Sequence, residues 1–407
     1  MDNCVIPQGY KATALGIIPQ EWEVKFLGNL LSRCANGLTY DVSITSGIPV
    51  TRIETISTGE INYAKVGYIP NESGYETFKM QKGDILYSHI NSLSQIGKVA
   101  YYKGDKEIYH GMNLLLLRAN EGLDKQYLYY TLLTDHMRHM AQVIAKPAVN
   151  QASISTSDLK RVKIAVPPLA EQRKIAEVLG EWDEAIEKQV RLIEKLALRK
   201  RALMQRLLSA KLRLPGFSEP WKIHKLQELF TERNETNRTD LPLLSITGDR
   251  GVILQTESEK RDTSNDDKSK YKRIAKGDIG YNTMRMWQGR SALSGLEGIV
   301  SPAYTIVVPN TDVDGYYMSV LFKQPRLIYD FWTHSQGLVG DTLNCKYRDF
   351  GQVHICCPPL AEQKAITEVL TAADREIELA KEKLDRLRRQ KRGLMQQLLT
   401  GKKRVKY

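Results

Sequence analysis

Apolar residues fall on a seven-residue beat in two stretches of the chain. In the first, Leu179, Ile186, Ile193, Lys200 and Leu207 take one seam position, and Trp182, Gln189, Leu196, Leu203 and Ala210 the other. In the second, Leu370, Ile377, Leu384, Lys391 and Leu398 pair with Ala373, Ala380, Leu387, Leu394 and Gly401. A pattern sustained over about five heptads predicts a coiled-coil helix, roughly 60 Å long at 1.5 Å per residue. Each begins just after a Pro-Pro pair, which a first turn tolerates and a helix interior does not. Each also starts acidic (Glu171, Glu177, Glu181; Glu362, Glu368, Asp374) and ends basic (Arg199, Arg201, Arg206, Arg213; Arg386, Arg388, Arg389, Arg392). That order suits each helix's own dipole and predicts an antiparallel pair, since a parallel one would set like charge against like. Lys200 and Lys391 fall at equivalent seam positions, where they either fix register or snorkel to solvent.

Elsewhere the pattern shortens to strands. Ile48–Ile53, Lys82–Ser88 and Leu114–Leu117 read as strands or turns into strands, and Tyr127–Met140 as a helix. The same order returns at Leu243–Ile246, Lys276–Asn282 and Tyr304–Val308, with a helix over Tyr316–Phe331. The charged stretch Gly251–Lys272 reads as a loop, too acidic to touch a polyanion unless Lys268, Lys270 and Lys272 turn inward.

The two helical stretches are copies: Pro167–Leu208 and Pro358–Leu399 align without a gap at a constant offset of 191 residues. An upstream echo matches Trp22, Leu27 and Leu30 to Trp221, Leu226 and Leu229. The predicted fold class is therefore α+β with a pseudo-twofold internal repeat: two mixed, strand-rich recognition domains (1–166 and 214–357) and two helical spacers (167–213 and 358–407) forming an antiparallel coiled coil. Such a pair would set its two globular units apart on one spacer, the layout of a bipartite duplex reader.

Composition narrows the class. At 407 residues and 42% hydrophobic content the chain can bury two ordinary cores. No apolar run approaches the roughly 20 residues that span a bilayer, and Met1–Gln20 lacks the form of a secretion signal, so a cytoplasmic home is expected. The five cysteines are odd in number and lack C-x-x-C spacing, which predicts reduced thiols rather than a zinc site or disulfides. The net charge of +12 points to a polyanionic partner, although ribosomal and membrane-surface proteins share it.

Two loops per unit carry side chains suited to DNA. After the shared Gly-Asp-Ile turn the first unit offers Ser88, His89, Asn91 and Lys98, and the second Asn282, Arg285, Gln288 and Arg290. Before the exit strand lie Lys146, Asn150 and Gln151 in the first, and Thr342, Lys346 and Arg348 in the second. Amides and arginines read base edges, whereas lysines and hydroxyls more often hold phosphates; the bland reading of each is an ordinary solvated loop. A lone histidine such as His89 is expected to be exposed, without metal or catalytic role. Trp22 and Trp221 read as core anchors. There is no Walker A pattern, no G-x-G-x-x-G opening a helix, no metal-ligand cluster and no G-x-S-x-G elbow. Both Pro-Pro pairs are followed by leucine, unlike the motif with which amino-methyltransferases grip a flipped base. No catalytic residue is expected.

The doubled Pro-Pro-Leu-Ala-Glu-Gln helix ending in Leu-Met-Gln-Arg-Leu-Leu or Leu-Met-Gln-Gln-Leu-Leu, with Trp22 and Trp221 opening each unit and Lys-Gly-Asp-Ile within each, resembles the specificity subunit of type I restriction–modification systems. The resemblance covers essentially the whole chain. It implies two target recognition domains, each reading half of a split DNA site, and helices that act as ruler and as docking surface for two methyltransferase subunits. Those partners would bind S-adenosylmethionine, and ATP-dependent restriction subunits would join through them; S-adenosylmethionine, ATP and Mg2+ are thus expected on partner subunits, and this chain itself would bind no cofactor. The sequence departs from the pattern at His89-Ile90-Asn91, where members often show an arginine-containing loop. Two other readings stay open: a stand-alone repeat-built DNA-binding regulator or architectural protein, and a coiled-coil scaffold without a nucleic-acid role.

Overall fold

The computed structural model describes residues 6–148, 151–248, 250–258, 266–337 and 342–406. It resolves into two compact units, Met1–Val190 with Glu382–Tyr407, and Arg191–Lys381. The division does not follow the ends of the helical spacers. Two 39-residue helices, Leu169–Leu207 and Leu360–Leu398, are each cut near the middle, so every unit owns one half of both.

Each unit is built on a four-stranded antiparallel sheet of the same order. In the first, Leu31–Asn36 lies beside Leu115–Ala119, then Ile85–Tyr87, then Val99–Tyr101. In the second the order is Phe230–Glu232, Tyr304–Pro309, Ile279–Asn282 and Ser291–Leu293. Registers agree, with Ile85 opposite Leu117 and Ile279 opposite Val307. Both faces of the first sheet are covered: Ile85, Leu115 and Leu117 enter a core with Trp22, Tyr127 and Leu159, while Leu86, Leu114 and Leu116 enter another with Ile56 and Ile108. That is why these strands read as unbroken apolar runs rather than alternating ones.

The helical stretches expected after the sheet are each broken in two. In the first unit the segments are Lys125–Leu132 and Asp135–Ile144, because Thr134 ends one and caps the next, its Oγ1 accepting from the Met137 amide at 3.3 Å. In the second they are Gly315–Leu321 and Pro325–His334, the proline sitting in the first turn of a new helix where it costs no hydrogen bond. The stretch read as a loop over Gly251–Lys272 is partly ordered: Val252–Leu254 pairs with Leu244–Ile246, and Lys272 opens a strand with its ammonium 3.8 Å from Glu232.

A short antiparallel pair leads out of each sheet domain into its long helix: Lys163–Val166 on Glu23–Phe26, and His354–Cys357 on Lys222–Lys225. The motif that follows is a clasp. Glu171 and Glu362 are fully buried, and each accepts from the indole of its unit's tryptophan, Trp22 at 2.9 Å and Trp221 at 3.1 Å. Each also receives a two-pronged arginine, Arg404 on Glu171 (2.6 and 3.0 Å) and Arg213 on Glu362 (2.6 and 2.8 Å). The neighbouring glutamines do a second job. Gln172 and Gln363 accept the backbone amides of Asp124 and Asp314 and donate to the carbonyls of Pro167 and Pro358. Those aspartates in turn cap the first helix after the sheet. Pro-Pro-Leu-Ala-Glu-Gln thus docks a long helix onto a sheet domain with its polar groups satisfied, as burial requires. Trp22 is fully buried as expected, and Trp221 is half-buried.

Within each unit the two half-helices are antiparallel. Asp183 pairs with Lys391 while Glu171 meets Arg404; Lys200 pairs with Asp374 while Arg213 meets Glu362. The seam lysines neither sit unpaired nor snorkel. Each joins an aspartate of the other helix, whose second oxygen accepts from a sheet-domain tyrosine, Tyr130 on Asp183 (2.7 Å) and Tyr316 on Asp374 (2.6 Å).

Candidate nucleic-acid interface

The two loops singled out in each unit lie tens of residues apart in sequence, and the fold joins them. In the first unit Ile90–Asn91 pairs with Gln151–Ser153, which pairs in turn with Lys146–Ala148, and the Ile154 amide donates to the His89 carbonyl at 2.8 Å. In the second unit the Cys345 amide donates to the Thr283 carbonyl at 2.8 Å. These are the same bond in the two copies. Ile154 and Cys345 differ by the repeat offset, and His89 and Thr283 stand five residues beyond the buried Asp84 and Asp278 of the Gly-Asp-Ile turns.

The candidates divide once placed. Ser88 and His89 are buried, and His89 is not the exposed histidine expected. Burial with no partner for Nδ1 among the described residues pushes the His89 imidazole down to about 4, so it is neutral at ordinary pH. His110, deeper in the same unit, is pushed to about 4 by burial too. Half-buried Asn91 donates to Ser88 Oγ at 3.2 Å and accepts the Ser92 amide, and Lys98 donates to the Ser57 carbonyl at 2.7 Å. Lys146 stands 3.4 Å from Asp158, and Gln151 is exposed. Asn150 lies outside the described residues.

In the second unit Asn282 shapes its loop, its Oδ1 accepting the Met284 amide and its own amide donating to the Arg290 carbonyl. Trp287 closes the turn by donating to the Met284 carbonyl at 2.9 Å. Gly289 adopts φ +72°, and a Cβ there would meet Ile328 of the following helix at 3.1 Å. The turn therefore requires glycine, and it presents Arg285, Gln288 and Arg290 on an exposed rim. No hydrogen bond or ion pair ties the side chains of Arg285 or Gln288 to the described residues. Thr342, Lys346 and Arg348 are exposed as well, on the segment that Cys345 anchors.

Sequence reasoning missed the ion pair at the Gly-Asp-Ile turn of each unit. Arg118 grips the buried Asp84 with two bonds (2.7 and 2.8 Å), and Arg233 grips Asp278 (2.7 and 3.1 Å). It also missed Arg404, which the 191-residue offset places opposite Arg213. Among the described residues there is no cluster of His, Cys, Asp and Glu fit to hold a metal, and four cysteines are free thiols. No described helix is long and apolar enough to cross a membrane.

A duplicated sheet domain docked on a shared pair of long helices, with different exposed loops at one matched position, defines a DNA-recognition scaffold. Residues 19–196 match the family model described as the type I restriction modification DNA specificity domain. A protein assigned as the MjaX type I restriction enzyme specificity subunit of Methanocaldococcus jannaschii is 34% identical over 98% of this chain and 97% of its own length. Among solved structures, the S subunit of a type I restriction-modification system from M. genitalium superposes with a TM-score of 0.53 at 16% identity, over 93% of this chain and 96% of that one. A chain from work on complex assembly and conformational transition of the type I R-M system reaches 0.59 at 16% identity, over 94% and 99%. The chain belongs to the family of type I restriction enzyme specificity subunits.

Proposed function

We propose that this protein is the DNA-specificity subunit of a type I restriction–modification complex, each unit reading one half of a split duplex site. The observation that carries the reading is the matched bond, Ile154 to His89 and Cys345 to Thr283, which joins two loops into one surface in each unit while the side chains on that surface differ. A shared frame with unlike readers is what recognition of two unlike half-sites requires. Arg285, Gln288, Arg290 and Arg348 are the base readers of the second unit, and Asn91 and Gln151 those of the first. Lys98, Thr342 and Lys346 hold phosphates. Ser88 and His89 support the surface from below.

The long helices set the spacing between half-sites and dock two methyltransferase subunits. Exposed Leu198 (61%), Leu379 (46%) and Leu192 (44%) on the second unit's half-helices give a partner apolar surface to cover. The chain contributes recognition, and catalysis with its S-adenosylmethionine, ATP and Mg2+ belongs to the partners, in the cytoplasm.

Mapping N6-methyladenine in cells that express the chain with its methyltransferase tests the proposal. A split motif is expected, and an unbroken motif or none would overturn the reading. Arg285→Ala or Arg290→Ala should weaken recognition of the second half alone, by about 1–3 kcal/mol if the contact is bidentate to guanine. Residues inserted in the helix near Lys200 should lengthen the gap and leave both half-sites unaltered.

A further inference from the structure

The first unit carries a cleft of about 490 Å³ whose chemistry the recognition surface does not use. Its floor is apolar, formed by Leu15 at the turn between the paired strands Tyr10–Thr13 and Gly16–Pro19, Met140 and Ile144 of the helix Asp135–Ile144, and Val162 before the strand Lys163–Val166. Its rim is cationic. Lys146, Arg161 and Lys163 are exposed there, against the single carboxylate of Asp158, which already pairs with Lys146 and accepts from Ser155 at 2.6 Å. Three cations against one carboxylate leave two positive charges over an apolar floor, with exposed His136 beside them. Lys163 lies 5.4 Å from the centre of the exposed Phe26 ring, which extends the apolar surface beyond the rim.

The second unit has the same elements and different residues at these places. Asp135–Ile144 and Pro325–His334 bury matching positions, Met137 with Leu327 and Ala141 with Phe331. Met140 and Ile144 therefore correspond to Asp330 and His334. By the repeat offset, Arg161 and Lys163 correspond to Gln352 and His354. Lys146, opposite Ser153, corresponds to Gln336, opposite Asn344. Half of the floor becomes polar, and no lysine or arginine remains at the three rim positions.

We infer that this cleft of the first unit is a docking site for a segment of a protein partner in which carboxylates flank large apolar side chains. Charge complementarity selects the carboxylates. The apolar floor selects leucine- or phenylalanine-sized anchors, which a nucleic-acid backbone does not supply. Lys146 is thereby assigned to this site and not to the DNA surface. The inference does not rest on the reading of the two loops.

The test uses the full chain and a fluorescent octapeptide alternating glutamate with leucine or phenylalanine. Saturable binding is expected. It should weaken at least about tenfold in Met140→Asp, which installs the second unit's residue, and in the pair Arg161→Glu with Lys163→Glu, each at an unchanged melting temperature. The pair Gln352→Glu with His354→Glu in the second unit should leave affinity unaltered. A peptide with serine in place of the apolar residues should not bind. Absence of binding, equal binding of the serine peptide, indifference to both first-unit variants, or displacement of the peptide by duplex DNA would each overturn the inference.

Discussion

At the scale of single residues, burial decides roles that composition leaves open. His89 has polar neighbours in sequence and His110 does not, yet both are enclosed and neutral. His110 Nε2 lies 2.9 Å from the Leu114 carbonyl, so the neutral ring donates there, and a second proton on Nδ1 would find no acceptor among the described residues. Both folded values are depressed to about 4 from 6.5, so below pH 6.5 the unfolded chain binds more protons than the folded one. Stability is therefore full above about pH 6.5 and declines as pH falls toward 4, with a slope approaching about 1.4 kcal/mol per pH unit for each histidine. Denaturant melts of the first unit between pH 7 and 4.5 should show the decline. His110→Gln, which keeps a donor and cannot gain a proton, should remove about half of it and leave the part due to His89; an unchanged slope would remove His110 from the account. No sequence pattern marks these two histidines as interior, because enclosure depends on strands that arrive from elsewhere in the chain.

At the scale of elements, the same requirement is met from different positions. Asp84 and Asp278 both end buried in the turn that feeds the second sheet strand, and each needs a cation. The first unit supplies Arg118 from Leu115–Ala119, and the second supplies Arg233 just past Phe230–Glu232. By strand register Arg118 corresponds to Val308, and Arg233, whose amide donates to the Ile306 carbonyl, corresponds to Ala35, which lies opposite Leu116. Arg118→Val should cost about 2–4 kcal/mol, because it strands a buried carboxylate. Adding Ala35→Arg should recover much of that loss, and a double-mutant cycle in denaturant melts measures the recovery; additive penalties would refute the exchange. The tyrosines on Asp183 and Asp374 follow the same logic, since Tyr130 and Tyr316 stand six and two residues after their capping aspartates. Heptads, strand runs and the docking motif were all legible in sequence because each is a local periodicity or a literal repeat. The helix breaks at Thr134 and Pro325 were less so: apolar spacing runs through them, and only capping geometry reveals the stop.

At the scale of the whole molecule, each compact unit closes through residues remote in sequence. Glu171 is clasped by Arg404 near the far end of the chain, and Glu362 by Arg213 from the other spacer. Arg404→Ala should destabilise the first unit and Arg213→Ala the second, each by about 2–3 kcal/mol, near the low end for a broken buried pair because both arginines are partly exposed. Hydrogen exchange should place the first loss in residues 6–190 and the second in residues 191–381; protection lost in the opposite unit would contradict the division. The repeat, the antiparallel helix pair, the α+β class and the family are written in the chain, since periodicity, charge order and doubled motifs are one-dimensional properties. Tertiary structure decided which candidates share a surface, which histidines lose their charge, where the compact units divide, and that a cleft exists in the first. Those outcomes depend on contacts between residues tens to hundreds of positions apart, and one-dimensional patterns carry no record of such distances.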